Sequence, residues 1–126
     1  MTERKFTSIE SAIEKIAAGG MVIVVDDETR ENEGDFICAA EKITPEMVNF
    51  MLRSGRGVLC VPMPRDRADT LKLEPASQEN SALHHTNFTV SVDLGNLKSG
   101  VSAAERLSLI HISEPTRRTP ISYAVF

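Results

Sequence analysis

The chain has no tryptophan, one tyrosine and only 5% aromatic residues. That leaves few side chains to stack on bases, which argues against a nucleic-acid binder. Cations are also outnumbered: 14 Lys and Arg face 18 Asp and Glu, for a net charge of −4. Phosphate-backbone binding needs a basic face, and none is in prospect. No apolar run approaches the roughly 20 residues that span a bilayer. The charged opening "MTERKFTSIE" has no apolar stretch behind it to act as a signal peptide. Two cysteines, Cys38 and Cys60, both lie in apolar runs. They read as reduced, buried thiols rather than a disulfide framework, and a cytoplasmic protein without nucleic-acid or membrane partners is expected.

What is present fits one domain of 126 residues. Thr7 with Glu10 reads as a capping box before Ile9, Ala12, Ile13, Ile16 and Ala17 at helical spacing, and Gly19–Gly20 stop that helix. "MVIVV", 21–25, reads as a strand covered on both faces, and residues 36–40 as a second strand. Thr44 and Pro45 open a helix whose stripe is Met47, Val48, Met51 and Leu52, ended by Gly55. "GVLCVPM", 57–63, reads as another buried strand, 64–73 as a short helix and 74–86 as a loop. In "NFTVSVDL", 87–94, Phe88, Val90 and Val92 alternate with polar residues as a strand requires. Helices alternating with apolar strands predict an α/β layered domain.

Ser102 and Glu105 form a second capping box, but "LSLIHISEPTRRTPISYAVF" supplies Pro115, Pro120 and no apolar period beyond Ile112. The helix is therefore expected to break soon after it starts. Residues 107–117 read like a translated transposon-end adapter, in which CTG TCT CTT ATA CAC ATC encodes Leu-Ser-Leu-Ile-His-Ile. The expected division is a domain portion, 1–106, and a non-native tail, 107–126.

The chemistry concentrates in "DDETRENEGD", 26–35, where six carboxylates surround Arg30. Acidic runs are usually solvated loops. Here strands anchor both ends, and in an extended chain Glu31, Glu33 and Asp35 would project to one side. Gly34 would allow close backbone approach. Three converging carboxylates repel unless a cation neutralises them, and a hard divalent ion such as Mg²⁺ suits oxygen ligands. The EF-hand pattern fails, because its third alternate position, counted from Asp26, is Arg30. No phosphate-binding glycine loop or nucleophile triad spacing occurs. Adjacent His84 and His85 read as surface residues of a polar loop.

The stretch from Val24 to Met63, with "FTVSVD" and "GVSAAER" further on, resembles the N-terminal part of the 3,4-dihydroxy-2-butanone-4-phosphate synthase family of riboflavin biosynthesis. The resemblance implies a three-layer α/β sandwich with a mixed sheet, here truncated, that forms homodimers with active sites at the subunit interface. It implies a lyase that converts ribulose 5-phosphate into 3,4-dihydroxy-2-butanone 4-phosphate and formate with Mg²⁺ or Mn²⁺. It further implies Glu31 as metal ligand, Arg30, Glu31, Asp35 and Asp26 as substrate contacts, and Glu33, Asp35 and Cys60 as catalytic groups. Arg30 also has a rationale of its own, since one guanidinium amid six carboxylates lowers their repulsion and can reach a ligand oxygen. The family's later motifs, "RPGHVFPL"-like and "GHTEA"-like, which carry its metal histidine and phosphate contacts, have no counterpart here, and His111 matches neither. The family also occurs fused to a GTP cyclohydrolase II domain. The expected activity of the chain by itself is none. The competing reading from another class is a non-enzymatic acidic module that binds divalent metal without preferring a pentulose phosphate.

Overall fold

The computed structural model describes residues 6–79, 81, 87–96 and 98–113. Helix α1 spans Ile9–Ala17. Its cap is Ser8, not Thr7: the Ser8 hydroxyl accepts from the Ser11 N–H at 3.2 Å. Gly19, at φ +84°, turns the chain out of the helix in a backbone region that costs glycine little. Strands β1, Met21–Val25, and β2, Gly34–Cys38, then pair antiparallel with Val25 opposite Gly34 and Met21 opposite Cys38.

Successive residues of β2 point to opposite faces, and this alternation creates three layers. Cys38 joins Ala40, Ile43, Val48, Met51 and Ile110 in the main core. Ile37 and Ala39 point the other way and meet Ile16 of α1, with Val22 against them. The sheet is thus a thin middle layer between α1 and a second helical layer, an α/β fold as the strand and helix pattern requires.

That second layer is α2, Pro45–Ser54, and α4, Ala103–Ser113. Thr44 caps α2 by accepting from the Met47 N–H at 3.3 Å, with Pro45 in the first turn where no intrahelical N–H partner is needed. Val48 and Met51 on its stripe are fully buried, and Phe50 meets Phe36 edge to face at 5.4 Å between ring centroids. A single 3₁₀ turn, Ala40–Lys42, links β2 to α2, and the Lys42 ammonium donates to the carbonyl of Ala17 at the end of α1.

Four sequence expectations need correction. The helix after Ser102 does not break early: the Ser102 and Glu105 box forms reciprocally, with both N–H···side-chain bonds at 3.2 Å, and α4 runs for three turns. Ile110 enters the core, and Arg67 of α3, Arg65–Thr70, donates to the carbonyls of Ser113 at 3.1 Å and Ile112 at 2.6 Å. A guanidinium from another helix satisfies carbonyls that a helix end would otherwise leave open. Among the described residues, 57–63 form no strand, although Leu59 and Val61 lean on the core. The alternating segment 87–94 contributes one isolated bridge, Thr89 with Pro75. Both lack a ladder because, among the described residues, the sheet has only two strands. β1 is also not covered on both faces, since Ile23, Val24 and Val25 are exposed. No described helix is long and apolar enough to cross a membrane.

Truncating Met51 to Ala removes a side chain with no exposed surface, and a loss of about 2–5 kcal/mol is expected in urea unfolding. The Ser102 hydroxyl and backbone N–H hold Glu105 below its ordinary value of 4.5. The helix stabilisation from this box is therefore fully present above pH 4.5 and disappears as pH falls through the lowered folded value. Far-UV circular dichroism of the parent and of Glu105→Gln should differ above that pH and converge in stronger acid.

Candidate active site

The acidic loop is the connector between β1 and β2, and one side chain shapes it. Asp26 Oδ1 accepts from the Glu33 N–H at 2.9 Å, and Asp26 Oδ2 accepts from the Glu31 N–H at 3.1 Å. The same Oδ2 accepts from Arg30 Nη1 at 2.7 Å, and that nitrogen also lies 3.2 Å from Glu31 Oε2. The Asp26 N–H donates to the Glu33 carbonyl at 3.2 Å, which carries the hairpin one step beyond the ladder. Asp27 makes a local turn, accepting from the Thr29 N–H at 2.8 Å and the Thr29 hydroxyl at 2.5 Å.

Asn32, at φ +53°, reverses the loop so that residues 31 and 33 can both reach Asp26. This left-handed position is one that asparagine tolerates better than most residues. It also overturns the expected arrangement of Glu31, Glu33 and Asp35 as alternate residues of one extended strand. The turn covers Glu28–Glu31, and β2 begins only at Gly34. Glu33 enters the network through its backbone. Among the described residues, no group of three or more His, Cys, Asp or Glu side chains is placed to hold a metal ion. His84 and His85 lie outside the described residues. His111 sits exposed on α4.

Electrostatics draws two further residues toward the loop. Desolvation raises the Asp35 carboxyl above its ordinary value, and the Asp26 and Glu31 charges add to this while Arg30 opposes it. Desolvation also raises the Cys60 thiol, with the Asp35 charge contributing. Burial tends to raise Asp26 as well, but the N–H groups of Glu33 and Glu31 and the Arg30 guanidinium outweigh it and hold that carboxyl low. Arg30, Glu31 and Asp26 therefore form one hydrogen-bonded cluster at the loop end of the hairpin; its charges act on Asp35, and the Asp35 charge acts on Cys60. It can present a charged donor, a hard oxygen ligand and a carboxyl that retains its proton more readily than most. The expected closeness of Gly34 to a neighbour is real: a Cβ there would meet Ile23 Cγ2 at 3.2 Å and Val25 Cγ1 at 3.4 Å. The neighbour is β1. Sequence reasoning missed Asn32 and Thr29, although an Asp-x-Thr turn followed by Asn was a readable signal.

An α/β domain with a carboxylate-rich hairpin connector, an arginine held among the carboxylates, and a partly buried aspartate and cysteine is the class of structure in hand. Comparison with known proteins then gives the family. The model of the 3,4-dihydroxy-2-butanone 4-phosphate synthase family matches residues 10–120, and the chain belongs to that family. It is 54% identical over 112 residues to the riboflavin biosynthesis protein RibBA of Cytophaga hutchinsonii, covering 87% of this chain and 28% of that protein. The RibBA protein of Chlorobium phaeovibrioides is 51% identical over 112 residues, covering 87% and 27%. A crystal structure of a 3,4-dihydroxy-2-butanone 4-phosphate synthase in complex with two magnesium ions superposes with a TM-score of 0.80 at 33% identity. That match covers 95% of this chain and 56% of the other. RibBX, a two-domain synthase from A. baumannii, gives a TM-score of 0.77 at 38% identity, covering 93% and 34%. The chain thus spans little more than a quarter of the length of these curated relatives.

The two thiols should differ in reactivity. Burial pushes Cys38 up to about 11 and leaves it 1% exposed, whereas Cys60 is only partly buried. Thiolate is the reactive form, so iodoacetamide at pH 8 should label Cys60 slowly and Cys38 only after denaturation, as read by peptide mass spectrometry.

Proposed function

We propose that this chain provides the acidic-loop half of a synthase site that converts ribulose 5-phosphate into 3,4-dihydroxy-2-butanone 4-phosphate and formate. The observation that carries this reading is the clamp of Asp26 on Glu31, Glu33 and Arg30 beside the partly desolvated Asp35. Enolising a ketose phosphate requires a base that removes a proton from the carbon next to the carbonyl. Asp35 is suited to that task, because loss of solvent and the neighbouring Asp26 and Glu31 charges increase its proton affinity. Burial, with the Asp35 charge contributing, raises the Cys60 thiol, which suits it to donate a proton rather than to act as a nucleophile. Arg30 is already ordered by Asp26 and can still direct donors at a substrate oxygen. Glu33 is assigned to proton transfer in the same pocket, and Asp26 contacts substrate while setting the shape of the loop.

The donor chemistry suits a hard divalent ion, Mg²⁺ or Mn²⁺, with Glu31 as the ligand from this chain. The described residues do not complete a coordination shell. Such an ion, when bound, polarises the ketose carbonyl and offsets charge that develops on its oxygen. The remaining ligands and the phosphate contacts are assigned to family segments outside this chain, within a cytoplasmic homodimer. The same reasoning assigns no formate release to the isolated chain. Residues 107–126 are proposed to derive from adapter read-through. Sequencing the source DNA across the Arg106 codon tests this, and an uninterrupted native frame into the present tail refutes it.

Glu31→Ala, placed at the matching position of a full-length relative such as the Cytophaga hutchinsonii protein, should lower formate release from ribulose 5-phosphate by about 10²-fold or more, since second- and first-sphere metal losses are of that order. Turnover within twofold of the parent would overturn the metal assignment.

A further inference from the structure

Three described residues other than glycine have a left-handed backbone: Asn32 at φ +53°, Arg56 at +57° and Lys72 at +56°. Arg56 and Lys72 each follow the residue that caps a helix, α2 and α3, where such a reversal is a common way to leave a helix. Asn32 ends no helix. It sits in the strand connector, with Arg30 and Glu31 before it and Glu33 after it. Left-handed dihedrals are unfavourable for most side chains, so one held away from a helix end points to a demand of the site around it.

The hydrogen bonds show the demand. The N–H groups of Glu31 and Glu33, on either side of Asn32, both donate to the Asp26 carboxylate, at 3.1 and 2.9 Å. A left-handed residue in such a run turns neighbouring N–H groups into one concavity that holds an anion. Here the anion is internal. Asp26, lodged in the concavity, accepts from Arg30 Nη1 at 2.7 Å, and the same nitrogen lies 3.2 Å from Glu31 Oε2. Asp26, Arg30 and Glu31 are thus tied, through two backbone bonds, to the conformation of residue 32. The Asn32 side chain is exposed, and Gly34 offers no substitute pivot because it is paired in β2 opposite Val25.

We infer that Asn32 is a positioning residue: its left-handed backbone sets the Asp26 clamp and, through it, the placement of Glu31 toward the metal and Arg30 toward the substrate. The inference rests on the roles given to those two residues in the preceding section. Asn32 itself is assigned no contact with either ligand. Groups that orient a metal ligand in this way are worth about 10- to 100-fold in metal affinity or activity.

The test compares Asn32→Gly, which keeps the left-handed region open, with Asn32→Val, whose branched side chain disfavours it. In the full chain, hydrogen exchange of amides 31 and 33 should be about tenfold faster or more in Asn32→Val and within about threefold of the parent in Asn32→Gly, with the amides of α2 unchanged in both. Unchanged exchange in Asn32→Val, or equal acceleration in both variants, would overturn the proposal. If Asn32→Val also loses the protection of α2, Asn32→Ala replaces it under the same criteria. In a full-length relative with asparagine at the matching position, the two variants should differ by about 10- to 100-fold in Mn²⁺ affinity, read by electron paramagnetic resonance titration, and kcat should fall in Asn32→Val and recover in Asn32→Gly. Variants that separate in amide exchange but not in Mn²⁺ affinity would overturn the positioning role, and Glu31→Ala then decides by itself whether the metal reading stands.

Discussion

The site depends on one carboxylate. Asp26 takes two backbone N–H groups and a guanidinium on its two oxygens, and in doing so it closes a loop that would otherwise swell under the repulsion of six negative charges. Charge-assisted hydrogen bonds of this kind are stronger than neutral ones, and here they act at the end of a ladder already anchored in the core. The Asp26 N–H bonded to the Glu33 carbonyl continues that ladder into the loop. The functional residues therefore inherit their placement from the hairpin.

The hairpin in turn inherits its placement from β2. Its odd and even residues divide between two apolar clusters, one with α1 and one with α2 and α4. Among the described residues, this division produces three layers around two paired strands. The layering fades along β1 just where the acidic loop begins, so the loop end of the sheet is also its least covered end. A family member spanning 56% of a magnesium-bound homologue has the loop, its positioning carboxylate and its arginine.

Local signals were legible wherever a short stretch settles its own geometry. Thr44 and Pro45 announced α2, Gly19 announced the end of α1, and Ser102 with Glu105 announced α4. Each depends on hydrogen bonds or dihedrals within a few residues. Two errors have a common origin. The helix after Ser102 was expected to break because its sequence loses its apolar period, yet Arg67 caps its last carbonyls from 45 or 46 residues away and Ile110 finds a core to enter. Residues 57–63 and 87–94 look like strands, but a strand is a relation between segments. Without a neighbour in register, alternation alone forms no ladder. The convergence of Glu31, Glu33 and Asp35 was drawn from the period of an extended chain, and one left-handed residue, Asn32, was enough to defeat it.

By itself the amino-acid sequence determined the family, the acidic connector and the boundaries of most helices, because these reside in local spacing and in a long, chemically unusual motif. Only the tertiary structure decided which carboxylate organises the loop and that Glu33 enters it by its backbone. Those relations arise from chain reversal and from packing between segments distant in sequence, and neither is encoded in any period along the chain.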